Sequence, residues 1–147
     1  MIVRHPNWTF AEELLSQVAS GSRGFDVDEI GGLTTDSWVP FPIDDRDPAI
    51  VSEELVEYCV PRVAGMLVVV TFLSFRAEVG PFFVDARHLG EFSTTYPETY
   101  DDALVAGDTF VLSPTSGRLV VVHHDGLIAT VQGRPSDALG HAPGRPV

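Results

Sequence analysis

Lysine is absent from this chain of 147 residues, and asparagine and cysteine each occur once. All nine cationic side chains are arginines, set against twenty-one carboxylates, for a formal net charge of −12. A GC-rich genome also replaces lysine with arginine, so the missing lysines carry less weight than the charge. An acidic surplus of this size repels nucleic-acid phosphates and attracts basic partners. We therefore expect no nucleic-acid partner.

The motifs of cofactor and metal sites are also missing. The chain has no GxGxxG, HExxH, CxxC or GxSxG, and the acidic loop has no EF-hand frame. Gly21-Ser22-Arg23-Gly24 lacks the lysine of a phosphate-binding loop. Cys59, on the apolar side of a predicted helix, is expected to be an inert buried thiol. These absences predict no cofactor and no metal.

Long hydrophobic runs are lacking as well. The longest, Met66–Phe75, is interrupted by Thr71 and Ser74, and it falls short of the roughly 20 residues that span a bilayer. The first residues lack the apolar stretch of a secretory signal, and a lone cysteine fits a reducing compartment. We expect a cytoplasmic protein without a membrane partner.

The pattern of apolar residues predicts one α+β domain over residues 1–132, followed by a disordered Gly/Pro-rich tail at 133–147. Its expected core is a mainly antiparallel sheet of about five strands, with two or three helices packed on one side. Helices are predicted from the capping boxes at Thr9–Glu12 and Thr95–Glu98 and from Asp47-Pro48. The first would bury Phe10, Leu14 and Val18. The expected strands are Leu67–Phe75, Phe82–His88, Thr109–Ser113, Arg118–His124 and Leu127–Gln132, with residues 38–43 as an edge strand or an extended segment.

The last two strands are joined by Asp125-Gly126, which predicts a two-residue hairpin turn. Such a turn would pair His124 with Leu127 and Val122 with Ala129. Neighbouring residues of a strand point to opposite faces, so His123 and His124 are not expected to bind one ion together.

The negative charge is concentrated early in the chain. Residues 1–60 hold twelve carboxylates and three arginines, a net −9. The densest cluster, Asp44-Asp45-Arg46-Asp47, follows two large aromatic residues, and three glutamates of the next helix have no cation at partner spacing. Aromatic anchors rimmed by carboxylates are typical of surfaces that bind basic proteins, although the aromatic residues would suit the core equally well. The candidate partner-binding residues are Trp38, Phe41, Asp44, Asp45, Asp47, Glu53, Glu54 and Glu57.

The leading hypothesis is therefore a small acidic interaction module that binds a basic protein partner. Small acidic inhibitors and toxin-neutralising immunity proteins of bacteria share this size and charge, which is an analogy and not a family resemblance. The alternative is a small hydrolase that uses histidines as acid–base groups. Its candidate catalytic residues are Asp85, His88, His123 and His124, if the two predicted hairpins lie side by side.

Overall fold

The computed structural model describes residues 6–133, which form three α-helices and one six-stranded sheet. The helices are α1 (Pro6–Val18), α2 (Pro48–Cys59) and α3 (Leu89–Tyr100). The strands are β1 (Val39–Pro40), β2 (Met66–Val70), β3 (Phe82–Asp85), β4 (Thr109–Ser113), β5 (Arg118–His123) and β6 (Leu127–Gln132). They are arranged in the order β1-β6-β5-β4-β2-β3, and every neighbouring pair is antiparallel. The predicted α+β class is confirmed, with one strand more than expected.

The helices cover both faces of the sheet, so the prediction that they pack on one side was wrong. α1 packs over the face that carries Val68, Phe110 and Val121. α2 and α3 pack over the opposite face, which carries Val69 and Val111. The physical reason is visible in the central strands, which are apolar at successive positions and therefore present an apolar surface on both sides.

α1 begins earlier and faces inward differently from the prediction. The helix starts at Pro6, a residue favoured in a first turn, so Thr9 lies inside it and not at its cap. The buried stripe is Trp8, Ala11, Leu15 and Val18, whereas Phe10 is 47% exposed. The prediction began the helix at Thr9 and so left out Trp8, and it followed a uniform four-residue spacing, whereas the buried stripe mixes spacings of three and four residues.

α2 follows the prediction. The Asp47 side chain accepts a hydrogen bond of 2.9 Å from the backbone N–H of Ala49, and Pro48 occupies the first turn. Val51, Leu55 and Cys59 are buried as expected.

α3 begins at Leu89, six residues before Thr95. The prediction that a capping box at Thr95–Glu98 opens this helix was therefore wrong. A short 3-10 turn at Ala86–His88 leads directly into the helix, and Pro97 lies within it. The hydroxyl of Thr95 donates to the carbonyl of Glu91 at 3.1 Å and caps nothing. The helix ends where Asp101 adopts a positive φ of 55°.

The β5–β6 hairpin has a three-residue turn, one residue longer than predicted. The backbone N–H of Gly126 donates to the carbonyl of His123 at 3.0 Å, and Gly126 has a φ of +87°. The pairs are therefore His123 with Leu127 and Val122 with Ile128. A glycine in this conformation after a turn favours the longer, bulged form over the two-residue turn.

The edges of the described structure bear on two further predictions. β1 pairs with β6 at one edge of the sheet, as expected for the proline-bearing segment. Gly133, assigned to the tail, donates to the carbonyl of Gly117 at 2.7 Å. The rest of the predicted tail, from residue 134, lies outside the described residues.

A buried group of hydroxyls fastens α3 to the end of β2. The Tyr96 hydroxyl lies 2.7 Å from Oγ1 of Thr71, whose backbone N–H donates to Oγ of Ser74 at 2.8 Å. All three residues are buried, so each polar group depends on the others for its hydrogen bonds.

We predict that Tyr96→Phe lowers the free energy of unfolding by about 0.5–1.5 kcal/mol, because it removes this hydrogen bond inside the core. Urea denaturation measures the change. Tyr100→Phe is the matched control, since Tyr100 packs on Tyr96 but is only half-buried. Equal losses in the two variants would show that the hydroxyl of Tyr96 contributes nothing specific.

Candidate functional site

Two regions of the molecule collect chemically active side chains. The first is a group at the β5–β6 turn, formed by Asp108, His123 and His124, which we call the His–Asp cluster. The second lies on the outer surface of α2 and α3. They are on opposite sides of the sheet: His123 shares a face with Val121, which α1 covers.

The His–Asp cluster is assembled by strand pairing and by the length of the turn. Thr109, the first residue of β4, pairs with Val122, so Asp108 lies beside His123. β5 ends at His123, and His124 belongs to the turn. The side chains of His123 and His124 therefore do not alternate between the two faces of the sheet, as neighbouring residues within a strand would. Their rings stack with centroids 4.3 Å apart.

This stacking corrects the expectation that the two histidines would point apart. One donor atom each from Asp108, His123 and His124 lie within 4.8 Å of one another. Asp108 was not among the sequence candidates. Its position immediately before β4 could have identified Asp108, because β4 pairs with β5, which ends at His123. That inference required the correct pairing of the two strands.

Asp108 orients His124 through two contacts to one oxygen. Oδ1 accepts the backbone N–H of His124 at 2.8 Å and lies 2.8 Å from Nδ1 of the same residue. This hydrogen bond to the Asp108 carboxylate raises the pKa of His124 above its ordinary value, with smaller contributions from the charges of Asp125 and Asp28. His124 is 59% exposed at its side chain, whereas His123 is 20% exposed.

His123 is held from two other directions. The backbone N–H of Asp125 donates to Nδ1 of His123 at 3.0 Å, which makes that nitrogen an unprotonated acceptor. The Trp38 ring stands edge-on to the His123 ring, with centroids 5.6 Å apart. The Asp125 carboxylate lies near both rings, with one oxygen 3.7 Å from Nδ1 of His123 and the other 3.6 Å from Nε2 of His124.

Asp85 and His88 do not join this cluster. Asp85 pairs with Met66 on β3, the edge strand, and β4 and β2 separate β3 from β5. Three strand spacings amount to about 14 Å, and Asp85 lies at the opposite end of the strands. It forms an ion pair of 3.0 Å with Arg87, which lowers the pKa of Asp85. The two hairpins are not neighbours, so the four residues of the hydrolase hypothesis do not assemble.

The predicted aromatic anchors are not open surface. Phe41 is buried at 6% exposure in the core beneath α2. Trp38 is half-buried against the other core. Between the two interpretations that the sequence left open, the structure supports core packing.

The predicted carboxylates fall into three groups. Asp44 and Asp45 are exposed in the loop before α2, and Asp47 caps that helix. Glu54 is neutralised by Arg46, whose two guanidinium nitrogens each donate to one of its oxygens at 2.7 Å. The expectation that these glutamates lacked a cation was therefore wrong for Glu54, because its partner comes from the loop and not from the helix. Glu53 and Glu57 are exposed.

α3 adds two carboxylates that the sequence analysis did not assign to a site. Glu91 and Glu98 are exposed and seven residues apart, so they lie on the same side of the helix. Their common face was missed because the helix was expected to begin only at Thr95. We call Glu53 and Glu57 of α2, together with Glu91 and Glu98 of α3, the acidic helical face.

A shallow cleft of about 370 Å³ separates the two helices within this face. Glu53 lies on its α2 side, and the other lining side chains are small or uncharged: Ala49, Ser52, Val56, Gly90, Ser93, Thr94 and Pro97. Neither helix contains arginine, lysine or histidine. Within residues 6–133, no ion pair neutralises the four carboxylates.

Comparison with known protein families, curated proteins and solved structures finds no match to this chain. None of the helices within residues 6–133 has the length and apolar character of a membrane span.

We predict that Asp108→Asn lowers the pKa of His124, because the neutral amide no longer stabilises the imidazolium. NMR titration of the histidine rings measures this change. The raised pKa also implies that the charged ring stabilises the fold below a pH of about 6.5, and that this contribution is lost as pH rises through the folded-state value.

The matched control for this titration is Glu98→Gln, which removes one charge on the other side of the sheet. It should leave His124 unchanged. An equal shift in both variants would mean that overall charge, and not the hydrogen bond that Asp108 accepts, controls the titration.

We predict that the Cys59 thiol does not react with a disulfide reagent at pH 8 until the protein unfolds. Burial raises the pKa of Cys59 to about 12, partly offset by the charge of Arg62, and the side chain is inaccessible. Thiol labelling in buffer and in denaturant makes the comparison. Rapid labelling of the native protein would contradict the buried, inert assignment.

Proposed function

We propose that this protein binds a basic partner protein through the acidic helical face, and that it acts as an inhibitor or immunity-type protein in the cytoplasm. The observation that carries the proposal is the complete absence of cationic side chains from two adjacent helices that carry five glutamates. Arg46 neutralises one of the five and leaves the acidic helical face uncompensated.

The arrangement of this face supports recognition of arginine or lysine side chains. The cleft between α2 and α3 offers small lining residues that leave room for a long side chain, and Glu53 lies at its wall. Glu57 lies one helical turn further along α2. A cationic head group entering the cleft would therefore lie close to the Glu53 carboxylate, a geometry that favours a charge-assisted hydrogen bond.

The repulsion between the carboxylates of the acidic helical face favours a functional role for this arrangement. Like charges held on neighbouring turns destabilise a helix slightly, and a basic partner relieves that repulsion on binding. Exposed carboxylates also accelerate association with a positively charged surface, an effect that weakens as salt rises. The same field disfavours nucleic acid as a partner.

The hydrolase alternative has less support. It required Asp85 and His88 beside the other two histidines, and they lie at the far edge of the sheet. The remaining Asp108–His124 pair has the geometry of an oriented imidazole, but no serine or cysteine hydrogen-bonds to either histidine within the described part of the chain.

The test compares two triple variants of equal net charge. The face variant carries Glu53→Gln, Glu57→Gln and Glu98→Gln. The control variant carries Glu13→Gln, Asp36→Asn and Glu78→Gln, which removes three exposed carboxylates outside α2 and α3. Each is used as bait in a native lysate at low and high salt, and recovered proteins are identified by mass spectrometry.

We expect wild-type and control baits to retain the same basic protein at low salt and to release it at high salt, and the face variant to lose it. Purified partner would then bind the face variant at least about tenfold more weakly, the effect of losing about 1.4 kcal/mol. Equal loss in both variants would reduce the interaction to general charge attraction, and failure to recover a basic partner at either salt would overturn the proposal.

A further inference from the structure

We propose that the His–Asp cluster binds one divalent transition-metal ion, with zinc as the best-suited class. The ligands are a carboxylate oxygen of Asp108 and one ring nitrogen from each of His123 and His124. The site lies on the side of the sheet away from the acidic helical face, so this inference is independent of the proposed function.

The separation of the donor atoms fits a single ion. Zinc bonds to imidazole nitrogen and carboxylate oxygen are about 2.0–2.2 Å long, so tetrahedral ligands stand about 3.4 Å apart. The three donor atoms of the cluster already lie within 4.8 Å of one another. Small rotations of side chains that are only partly buried would complete the approach.

The donor set also fits the chemistry of this class of ion. Imidazole and carboxylate ligands together suit zinc and its neighbours, whereas calcium and magnesium prefer oxygen ligands alone. Nδ1 of His123 carries a lone pair that accepts the backbone N–H of Asp125, and the ion would take this lone pair in place of that hydrogen bond, because metal ligation requires an unprotonated ring nitrogen.

The close contact between Asp108 and His124 marks the place that the ion would take. Oδ1 of Asp108 and Nδ1 of His124 are 2.8 Å apart and share a proton. The ion would replace this proton, which moves to Nε2 of a neutral ring or to solvent from a charged one. The carboxylate and the ring nitrogen would then separate by under about 1 Å to become two ligands.

The surroundings favour a cation and leave the site open. The Asp125 carboxylate lies 3.6 Å and 3.7 Å from ring nitrogens of the two histidines and adds negative charge. No arginine pairs with Asp108 or Asp125 among residues 6–133. With three protein ligands and His124 exposed to solvent, the ion would keep a coordination position for water or another ligand.

The test is a titration of the tag-free full-length protein with Zn²⁺, followed by calorimetry and by NMR of the histidine rings. We expect saturable binding of one ion and shifts of the His123 and His124 ring signals, with the His88 signals unmoved. Co²⁺ in place of Zn²⁺ would report the coordination number by its visible absorption.

Three variants remove the ligands one at a time: Asp108→Asn, His123→Gln and His124→Gln. Each should weaken zinc binding by at least about tenfold, since even the partners that orient metal ligands contribute that much. His88→Gln removes a histidine elsewhere and should bind as the wild type does. Thermal unfolding of each variant establishes that it is folded.

Two results would overturn the proposal. One is the absence of saturable binding, or binding that shifts histidine signals other than those of His123 and His124. The other is unchanged affinity in all three folded ligand variants. The ring signals are measured on the wild-type protein, so the first result decides the matter even if a variant does not fold.

Discussion

The structure depends on a sheet whose central strands are apolar on both faces. Val68 and Val69, or Val120 and Val121, are neighbours in sequence, yet they belong to different cores. Such a sheet is stable in water only when each face is covered. α1 covers one face and the α2–α3 pair covers the other. The chain therefore passes from one side of the sheet to the other between α1 and α2. The two candidate functional regions follow from this division.

The layering keeps two different kinds of electrostatics apart. On one side, glutamates of α2 and α3 point to solvent because their helices bury Leu55 and Tyr96 beneath them. On the other side, the Asp108 carboxylate and the His124 imidazole meet at a strand end and form a hydrogen bond with each other. The first arrangement repels itself and attracts a distant cation, whereas the second is already locally satisfied. A protein with a net charge of −12 can thus carry both a long-range field and a short-range cluster.

The sequence predicted those features that depend on local chemistry. Asp47-Pro48 starts a helix because a side-chain acceptor and a fixed φ act within three residues, and the structure agrees. The α+β class was equally accessible from the apolar pattern. Where two signals competed, the prediction was wrong. Thr95-Tyr96-Pro97-Glu98 matches the sequence pattern of a capping box, but the helix begins earlier because Leu89 and Tyr96 are both buried on one of its faces. Sheet coverage was missed because the prediction followed strand propensity and not the continuous apolar runs of the central strands, which indicate that both faces are covered.

The candidate sites were harder to predict because they depend on residues far apart in the chain. Asp108 meets His124 across a strand pair, and Glu53 lies across a cleft from Thr94. The burial of Phe41 likewise depends on α2 folding over it. Residue types alone identified several of the exposed carboxylates. Contacts between residues so far apart in the chain can be recognised only in the tertiary structure.

The three-residue turn closed by Gly126 has a consequence for the register of the last hairpin. Its length determines which side chains of β6 face each core, since a shift of one residue exchanges the two sets. If the same sequence formed a two-residue turn at Asp125-Gly126, His124 would pair with Leu127, so that Val131 and Ala129 would face the α2–α3 layer and Ile128 and Thr130 would face the other way. His124 would then belong to a strand and would separate from its stacked neighbour. The backbone conformation at Gly126 therefore determines both which residues of β6 line each core and whether His123 and His124 stack.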